Sequence, residues 1–177
     1  MNVNLFDVIT SVGNSVTNDV FLSELKEIFC GEEITLSSKD SFKLVITCVA
    51  KDIVEIHCSP TVVAVRNCSR CLSEVECEYE LPINRKVNVA LNKVYIDDSS
   101  ETDDTSYIED CNLDVDRLVL DELFTVLPTS VLCKEDCKGI CKVCGTNLNK
   151  SSCDCDQTVP DPRMAVFSDI FNQFKEV

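Results

Sequence analysis

EVECEYELPI, residues 74–83, alternates without interruption: Val75, Cys77, Tyr79, Leu81 and Ile83 fall on one side, Glu74, Glu76, Glu78 and Glu80 on the other. A period of two belongs to a β-strand, whose successive side chains point to opposite faces. One apolar face and one acidic face describe a strand half buried against a core. Pro82 has no N–H to give to a ladder, which places this strand at a sheet edge or at a bend. The same period runs outward in both directions. Upstream, Leu44, Ile46, Cys48 and Ala50 alternate with Lys43, Val45, Thr47 and Val49; Lys51-Asp52 reads as a tight turn into Ile53 to Cys58, and Val62 to Val65 leads on to Cys68. Downstream, Val87, Val89 and Leu91 continue the alternation. The connections are too short for helical crossovers, so the sheet is antiparallel.

Helical spacing occurs elsewhere. Phe21, Leu22, Leu25, Ile28 and Phe29 predict a short helix before Gly31, whereas residues 3–20 carry no clear period. Residues 97–104 read as an acidic loop. From Leu113 to Leu127 the residues Val115, Leu118, Val119, Leu123 and Val126 form an apolar stripe, Asp114 and Asp116 suit the N-terminal dipole, and Pro128 ends the helix. Asp161 and Pro162 open a last helix, Arg163 to Lys175, with Met164, Phe167, Phe171 and Phe174 as a packing stripe. The fold class is therefore α+β: an antiparallel β-sheet with a covering helix and a C-terminal Cys-rich zinc-binding module. Residues 1–130 form the mainly antiparallel β domain, and residues 131–177 a zinc-knuckle module with a helix, packed as one unit with the first.

The chemistry lies in four close cysteine pairs: Cys68 with Cys71, Cys133 with Cys137, Cys141 with Cys144, and Cys153 with Cys155. Tetrahedral Zn²⁺ takes four thiolates at ~2.3 Å, and a pair on a tight turn supplies half of that set. Four pairs make two Cys₄ sites. Cys68 and Cys71 need two thiols from elsewhere, and Cys133 and Cys137, at i and i+4 on one helical face, are the first to follow. Cys141, Cys144, Cys153 and Cys155 can close a local knuckle, with Gly145 tolerating the left-handed conformation after Cys144. The even spacing of Cys133, Cys137 and Cys141 leaves exchange of ligands between the sites open. Cys30, Cys48, Cys58, Cys77 and Cys111 read as small buried hydrophobes. Disulfides are disfavoured, because the chain has 13 Cys and opens on MNVNLFDVITSVG, with neither a basic nor an apolar leader segment. A thioredoxin-like role for Cys141-Lys142-Val143-Cys144 wants a βαβ context that Gly145-Thr146-Asn147 does not continue. A closed Cys₄ site leaves no open position for a substrate.

Composition narrows the function further. Lys+Arg 16 against Asp+Glu 31 gives a net charge of −15, and each Cys₄ zinc site would add to it. Such a surface repels bare nucleic acid, so direct RNA binding is disfavoured; Arg66, Arg70, Arg85 and Lys86 read as ordinary solvated charges. No apolar run approaches the ~20 residues of a membrane helix, so no membrane partner is expected. No phosphate loop exists among Gly13, Gly31, Gly139 and Gly145, and the single histidine, His57, should point away from its neighbour Cys58. No catalytic residue, enzymatic activity or small-molecule substrate is expected.

NCSRCLSEVE at Asn67 to Glu76, LVLDELFTVLP at Leu118 to Pro128, LCKEDCKGICKVCGTNLNKSSCDCD at Leu132 to Asp156 and DPRMAVF at Asp161 to Phe167 together resemble the YceD family of large ribosomal RNA subunit accumulation proteins. The resemblance implies a non-enzymatic factor, bacterial and cytoplasmic or organellar, that supports accumulation of 23S rRNA and large-subunit assembly. It supplies no molecular mechanism, and the family has members with fewer tail cysteines. The acidic charge suggests docking on a basic ribosomal protein or a large-subunit assembly intermediate. A function of another class is a thiol-disulfide or metal-handling protein using the CxxC pairs.

Overall fold

The computed structural model describes residues 1–95 and 102–155. In chain order the elements are β1 (Asn2–Asn4), α1 (Phe6–Ile9), β2 (Ser15–Val20), β3 (Leu25–Phe29), β4 (Glu32–Ser38), β5 (Phe42–Ala50), β6 (Ile53–Cys58) and β7 (Thr61–Asn67). They continue with β8 (Glu74–Glu80), β9 (Ile83–Asn88), β10 (Lys93–Tyr95), β11 (Thr102–Asp104), β12 (Ile108–Glu109), β13 (Asn112–Asp114) and α2 (Val115–Val126). The expected antiparallel α+β class is what forms, with its strands divided among three sheets: β1-β13-β12, β11-β10-β9-β6-β5-β2 and β3-β4-β7-β8.

Pro82 works as a bend as well as a boundary. β8 is an edge strand that ends at Glu80, and the chain resumes at Ile83 as a central strand of the six-stranded sheet. Pro60 interrupts the neighbouring chain at the same level, between β6 and β7. The ribbon that pairs Cys58 with Ile83 therefore continues as the ribbon that pairs Thr61 with Glu80, but in another sheet. Prolines cannot donate to a ladder, and two of them opposite each other let both strands change sheets together. The acidic row stays solvent-exposed as expected, with Val75, Cys77 and Tyr79 half-buried beneath it.

α2 lays Val115, Leu118, Val119 and Leu123 into the same core as Leu44, Ile46, Val54, Ile56 and Val87 from the sheets. Asp114 caps it, accepting from the N–H groups of Asp116 and Arg117, and Leu127 turns extended before Pro128. Val126, expected in the apolar stripe, is half exposed because the helix ends there.

Four expectations need correction or fall outside the described residues. The predicted helix at Phe21 to Phe29 does not form: residues 21–24 are irregular and Leu25–Phe29 is strand β3, because Cys30 and Gly31 both have positive φ, 51° and 83°, and make the two-residue turn that pairs Phe29 with Glu32. Such a turn fits the twist of a hairpin, and the helical spacing was incidental: Phe21 and Ile28 are exposed. Leu91 does not continue β9 but sits exposed in the turn to β10. Of the acidic loop, Thr102–Asp104 pairs with β10 as a strand, while residues 97–101 and the helix expected at residues 163–175 lie outside the described residues.

The chain divides into two compact units. One comprises Met1–Asn67 and Glu74–Val131; the other comprises Cys68–Ser73 and the chain from Leu132. The loop between β7 and β8 thus groups with the cysteine-rich tail.

Candidate metal centres

Two turns of the second unit share one construction. In Cys68-Ser69-Arg70-Cys71-Leu72-Ser73 the Cys68 N–H donates to the Ser73 carbonyl at 2.8 Å and the Leu72 N–H to the Cys68 carbonyl at 2.9 Å. In Cys141-Lys142-Val143-Cys144-Gly145-Thr146 the Cys141 N–H donates to the Thr146 carbonyl at 2.8 Å and the Gly145 N–H to the Cys141 carbonyl at 2.9 Å. Both turns need a left-handed residue after the second cysteine, and φ is +58° at Leu72 and +73° at Gly145. For leucine that conformation costs ~1–2 kcal/mol, which the surrounding hydrogen bonds must offset. Each turn then sets a hydroxyl beside its second cysteine: Ser73 Oγ is 3.4 Å from Cys71 Sγ, and Thr146 Oγ1 is 3.1 Å from Cys144 Sγ. Sequence reasoning saw the CxxC pairs but missed the hydroxyls, although Cys-x-x-Cys-x-[Ser/Thr] stands twice in the sequence.

Each turn is completed by a second pair. The sulfurs of Cys68, Cys71, Cys133 and Cys137 all lie within 4.8 Å of one another, as do those of Cys141, Cys144, Cys153 and Cys155. The groups match the two sets expected from spacing, with no exchange between them. Cys133 and Cys137 do not sit on a helical turn, however; the Cys137 N–H closes a tighter turn on the Lys134 carbonyl at 3.2 Å. Gly139 follows with φ +77°, and a Cβ there would come within 3.1 Å of the Arg70 carbonyl oxygen. Arg70 fastens this pair, its Nη1 donating to the Cys137 carbonyl at 3.0 Å.

The donor set fits a metal. All thirteen cysteines are free thiols. Cys68 and Cys137 sulfurs are 3.8 Å apart and those of Cys71 and Cys133 3.5 Å. A disulfide would require ~2.05 Å, whereas four thiolates around a tetrahedral ion at ~2.3 Å lie about 3.8 Å from each other. The acid–base balance points the same way. Burial pushes Cys68 up, but N–H groups of Arg70, Cys71 and Cys133 outweigh it and bring the thiol down to about 6. The Ser73 hydroxyl and N–H lower Cys71. The Thr146 hydroxyl and N–H hold Cys144 at about 6. Cys133 and Cys155 move the other way, to about 12, because each keeps its proton to donate to Cys71 and Cys144 respectively. Four sulfurs this close cannot all ionise without a cation, and these protons are what a cation would displace. Each cluster can hold a metal ion.

The other sulfurs are less uniform than expected. Cys48 and Cys58 are buried, but Cys77 and Cys111 are half-buried, and Cys30 is exposed in its turn. His57 is exposed on β6 with its Nδ1 2.6 Å from Asn84 Oδ1, and Cys58 faces the core. Among the described residues no helix is long and apolar enough to cross a membrane.

A family model described as large ribosomal RNA subunit accumulation protein YceD matches residues 56–171, a stretch that takes in both clusters. The chain belongs to the YceD family. Parts of the chain are also similar to curated proteins. An uncharacterised protein of Mycobacterium tuberculosis is 31% identical over 90 residues, 48% of this chain and 40% of the relative. One of Mycobacterium leprae is 26% identical over 100 residues, 56% of this chain and 45% of the relative. A chloroplastic protein of Arabidopsis thaliana, named large ribosomal RNA subunit accumulation protein YCED homolog 1, is 28% identical over 64 residues, 36% of this chain and 20% of its own length. The matches therefore span less than half of each relative. No solved structure gives a significant match.

Proposed function

We propose that this protein is a non-enzymatic ribosome-biogenesis factor, stapled by two structural zinc ions, that supports 23S rRNA accumulation and large-subunit assembly where ribosomes are made, in the bacterial cytoplasm. The observation that carries this reading is the family match extending across both cysteine clusters. Four sulfurs per site, all within 4.8 Å of one another, fill a tetrahedral shell and favour zinc in a structural role. Elemental analysis of the reduced, metal-replete protein should find about two zinc ions per chain, one for each tetrahedral set; none would refute the metal reading.

The partner is a basic ribosomal protein or an assembly intermediate displaying one. Glu74, Glu76, Glu78 and Glu80 line the outer side of edge strand β8, and Glu78 already takes the Lys39 ammonium at 2.8 and 3.1 Å. Binding to rRNA without a protein intermediary is not favoured. Arg66 is buried against Glu32, Arg85 pairs with Glu122, and Arg70 is spent on a backbone carbonyl. Removing the protein from its cell should lower mature 23S rRNA and large subunits relative to small ones, and normal subunit profiles across growth temperatures would refute the assembly role. Changing all four glutamates to lysine should abolish rescue while the sheet persists, since their side chains face solvent. Full rescue by that variant would discard the acidic docking and leave the assembly role standing.

Cys144 favours a second reading. It is exposed and its thiol is held at about 6, as a thiol-disulfide or metal-handling protein would need. Zinc that exchanges readily, or alkylation of Cys144 in the zinc-loaded chain, would move the balance to this reading.

A further inference from the structure

The loop that closes the second cluster also reaches the first. Asn149 lies between Cys144 and Cys153, both in the second set, yet its Nδ2 donates to Cys137 Sγ of the first at 3.2 Å. Its Oδ1 accepts from the Lys138 N–H at 2.9 Å, which fixes the orientation of the amide and leaves Nδ2 facing the sulfur. Asn147 repeats the device. Its Oδ1 accepts the Asn149 N–H at 2.9 Å, and its Nδ2 donates to Ser73 Oγ at 3.2 Å. The Cys71 thiol donates to the same Ser73 Oγ at 3.4 Å, and once that sulfur is a thiolate the hydroxyl is placed to donate back to it. Two amides of one loop thus support two sulfurs of the other cluster.

The loop is held in place from its own side. The Leu148 N–H donates to the Gly139 carbonyl at 2.9 Å, the Lys150 and Ser151 N–H groups both donate to the Asn147 carbonyl at 3.1 Å, and Asn147 bridges to Ile140. Its two ends, however, are Cys144 and Cys153. A metal bound by those thiolates would anchor the loop, and loss of that metal would release it.

We propose that the two metal centres are coupled, with Asn147 and Asn149 as the positioning residues that carry the coupling. Filling the second centre fixes the loop, and the fixed amides then present Cys137 and Cys71 as oriented, hydrogen-bonded thiolates to a metal in the first. N–H donors stabilise thiolate charge, and removing such an outer-sphere partner typically costs 10–100-fold in metal affinity. Linkage makes the effect reciprocal: a metal in the first centre strengthens the second by the same factor. The inference rests on the metal reading proposed above.

The test uses the full chain under reducing conditions, with Zn²⁺ as the probe and a chromophoric chelator in competition. Three variants are compared with the parent: Asn149→Ala; Asn149→Asp, which keeps the acceptor for Lys138 but loses the donor to Cys137; and Cys144→Ser with Cys155→Ser, which leaves only the first centre. The parent should hold two ions. Both Asn149 variants should still fill with two at saturating zinc but release one of them at least about tenfold more readily. The ion left in the double cysteine variant should be weakened to a similar degree, and adding Asn149→Ala to that background should cost little more, because the loop is already released. If the parent holds two ions and Asn149→Ala releases both as slowly as the parent, the coupling is wrong while the metal reading stands. Losses that simply add in the combined variant would equally overturn it. A parent chain that binds no zinc would overturn both.

Discussion

Replacing Arg66 with alanine is expected to destabilise the first unit by about 3–5 kcal/mol, the range for breaking a buried ion pair from one side. The side chain is 2% exposed on β7. Its Nη1 donates to the Pro128 carbonyl at 2.6 Å, just past the end of α2, and its Nη2 lies 3.3 Å from Glu32 Oε2 on β4. The guanidinium also covers the Phe29 ring of β3 at 5.4 Å, and Phe29 stacks on Phe124 of α2 at 5.6 Å. One planar cation thus ties three strands to the end of the covering helix. Without it the Pro128 carbonyl loses its donor, Glu32 loses its counter-charge, and the space beside Phe29 is left unfilled. Arg66→Lys should recover little, since a single ammonium cannot serve the carbonyl and the carboxylate in a fixed fork while lying flat on a ring. The measurement is the urea midpoint at an unchanged m-value. A loss under about 1 kcal/mol would put the residue on a par with a surface pair.

Arg66 also marks a limit of the sequence. Read alone, it is one more charged residue in a strand, facing away from Val65 and near a thiol pair, and nothing local says that Glu32 and Pro128 will meet it. Long-range polar contacts of this kind become visible only when the chain is folded. The alternation of residues 74–80, the helix from Val115 and the pairing of cysteines into two sets were legible, because each depends on local period or spacing. Phe29 was misread for the opposite reason: Cys30-Gly31 lacks the Asn or Asp that usually announces a two-residue hairpin, so the helical spacing of Leu25, Ile28 and Phe29 prevailed. The division into several sheets was hidden because a period of two continues through Pro82 even though the strand's partners change. Asn147 and Asn149 carry no local signal in the sequence, and only their approach to Ser73 and Cys137 gives them a role.

Cys71→Ser should have the largest effect on the second unit. The continuous hydrophobic core draws its residues from the first unit; among the described residues of the second, the buried side chains of apolar class are Cys68, Cys71, Cys137 and Cys141. Leu72, Leu132, Ile140 and Val143 all remain exposed there. A segment whose interior is sulfur has little hydrophobic stabilisation of its own, so on the metal reading proposed above the bound ions would supply most of its folding free energy, ~10–16 kcal/mol apparent per structural zinc in small modules near neutral pH. Removing one of four thiolates forfeits most of that at the first centre. The damage should spread further than for Cys155→Ser, because Cys71 lies in the loop that joins β7 to β8 whereas Cys155 closes a knuckle whose ligands are all local. The expected pattern is a lower melting temperature for Cys71→Ser than for Cys155→Ser, rapid proteolysis within residues 132–155, and a retained β-sheet signal in circular dichroism from the first unit. Equal melting temperatures would mean that the hairpin loop adds nothing to the first centre's hold on the fold. A protease-resistant Cys71→Ser chain without zinc would mean that the second unit has a source of stability other than metal.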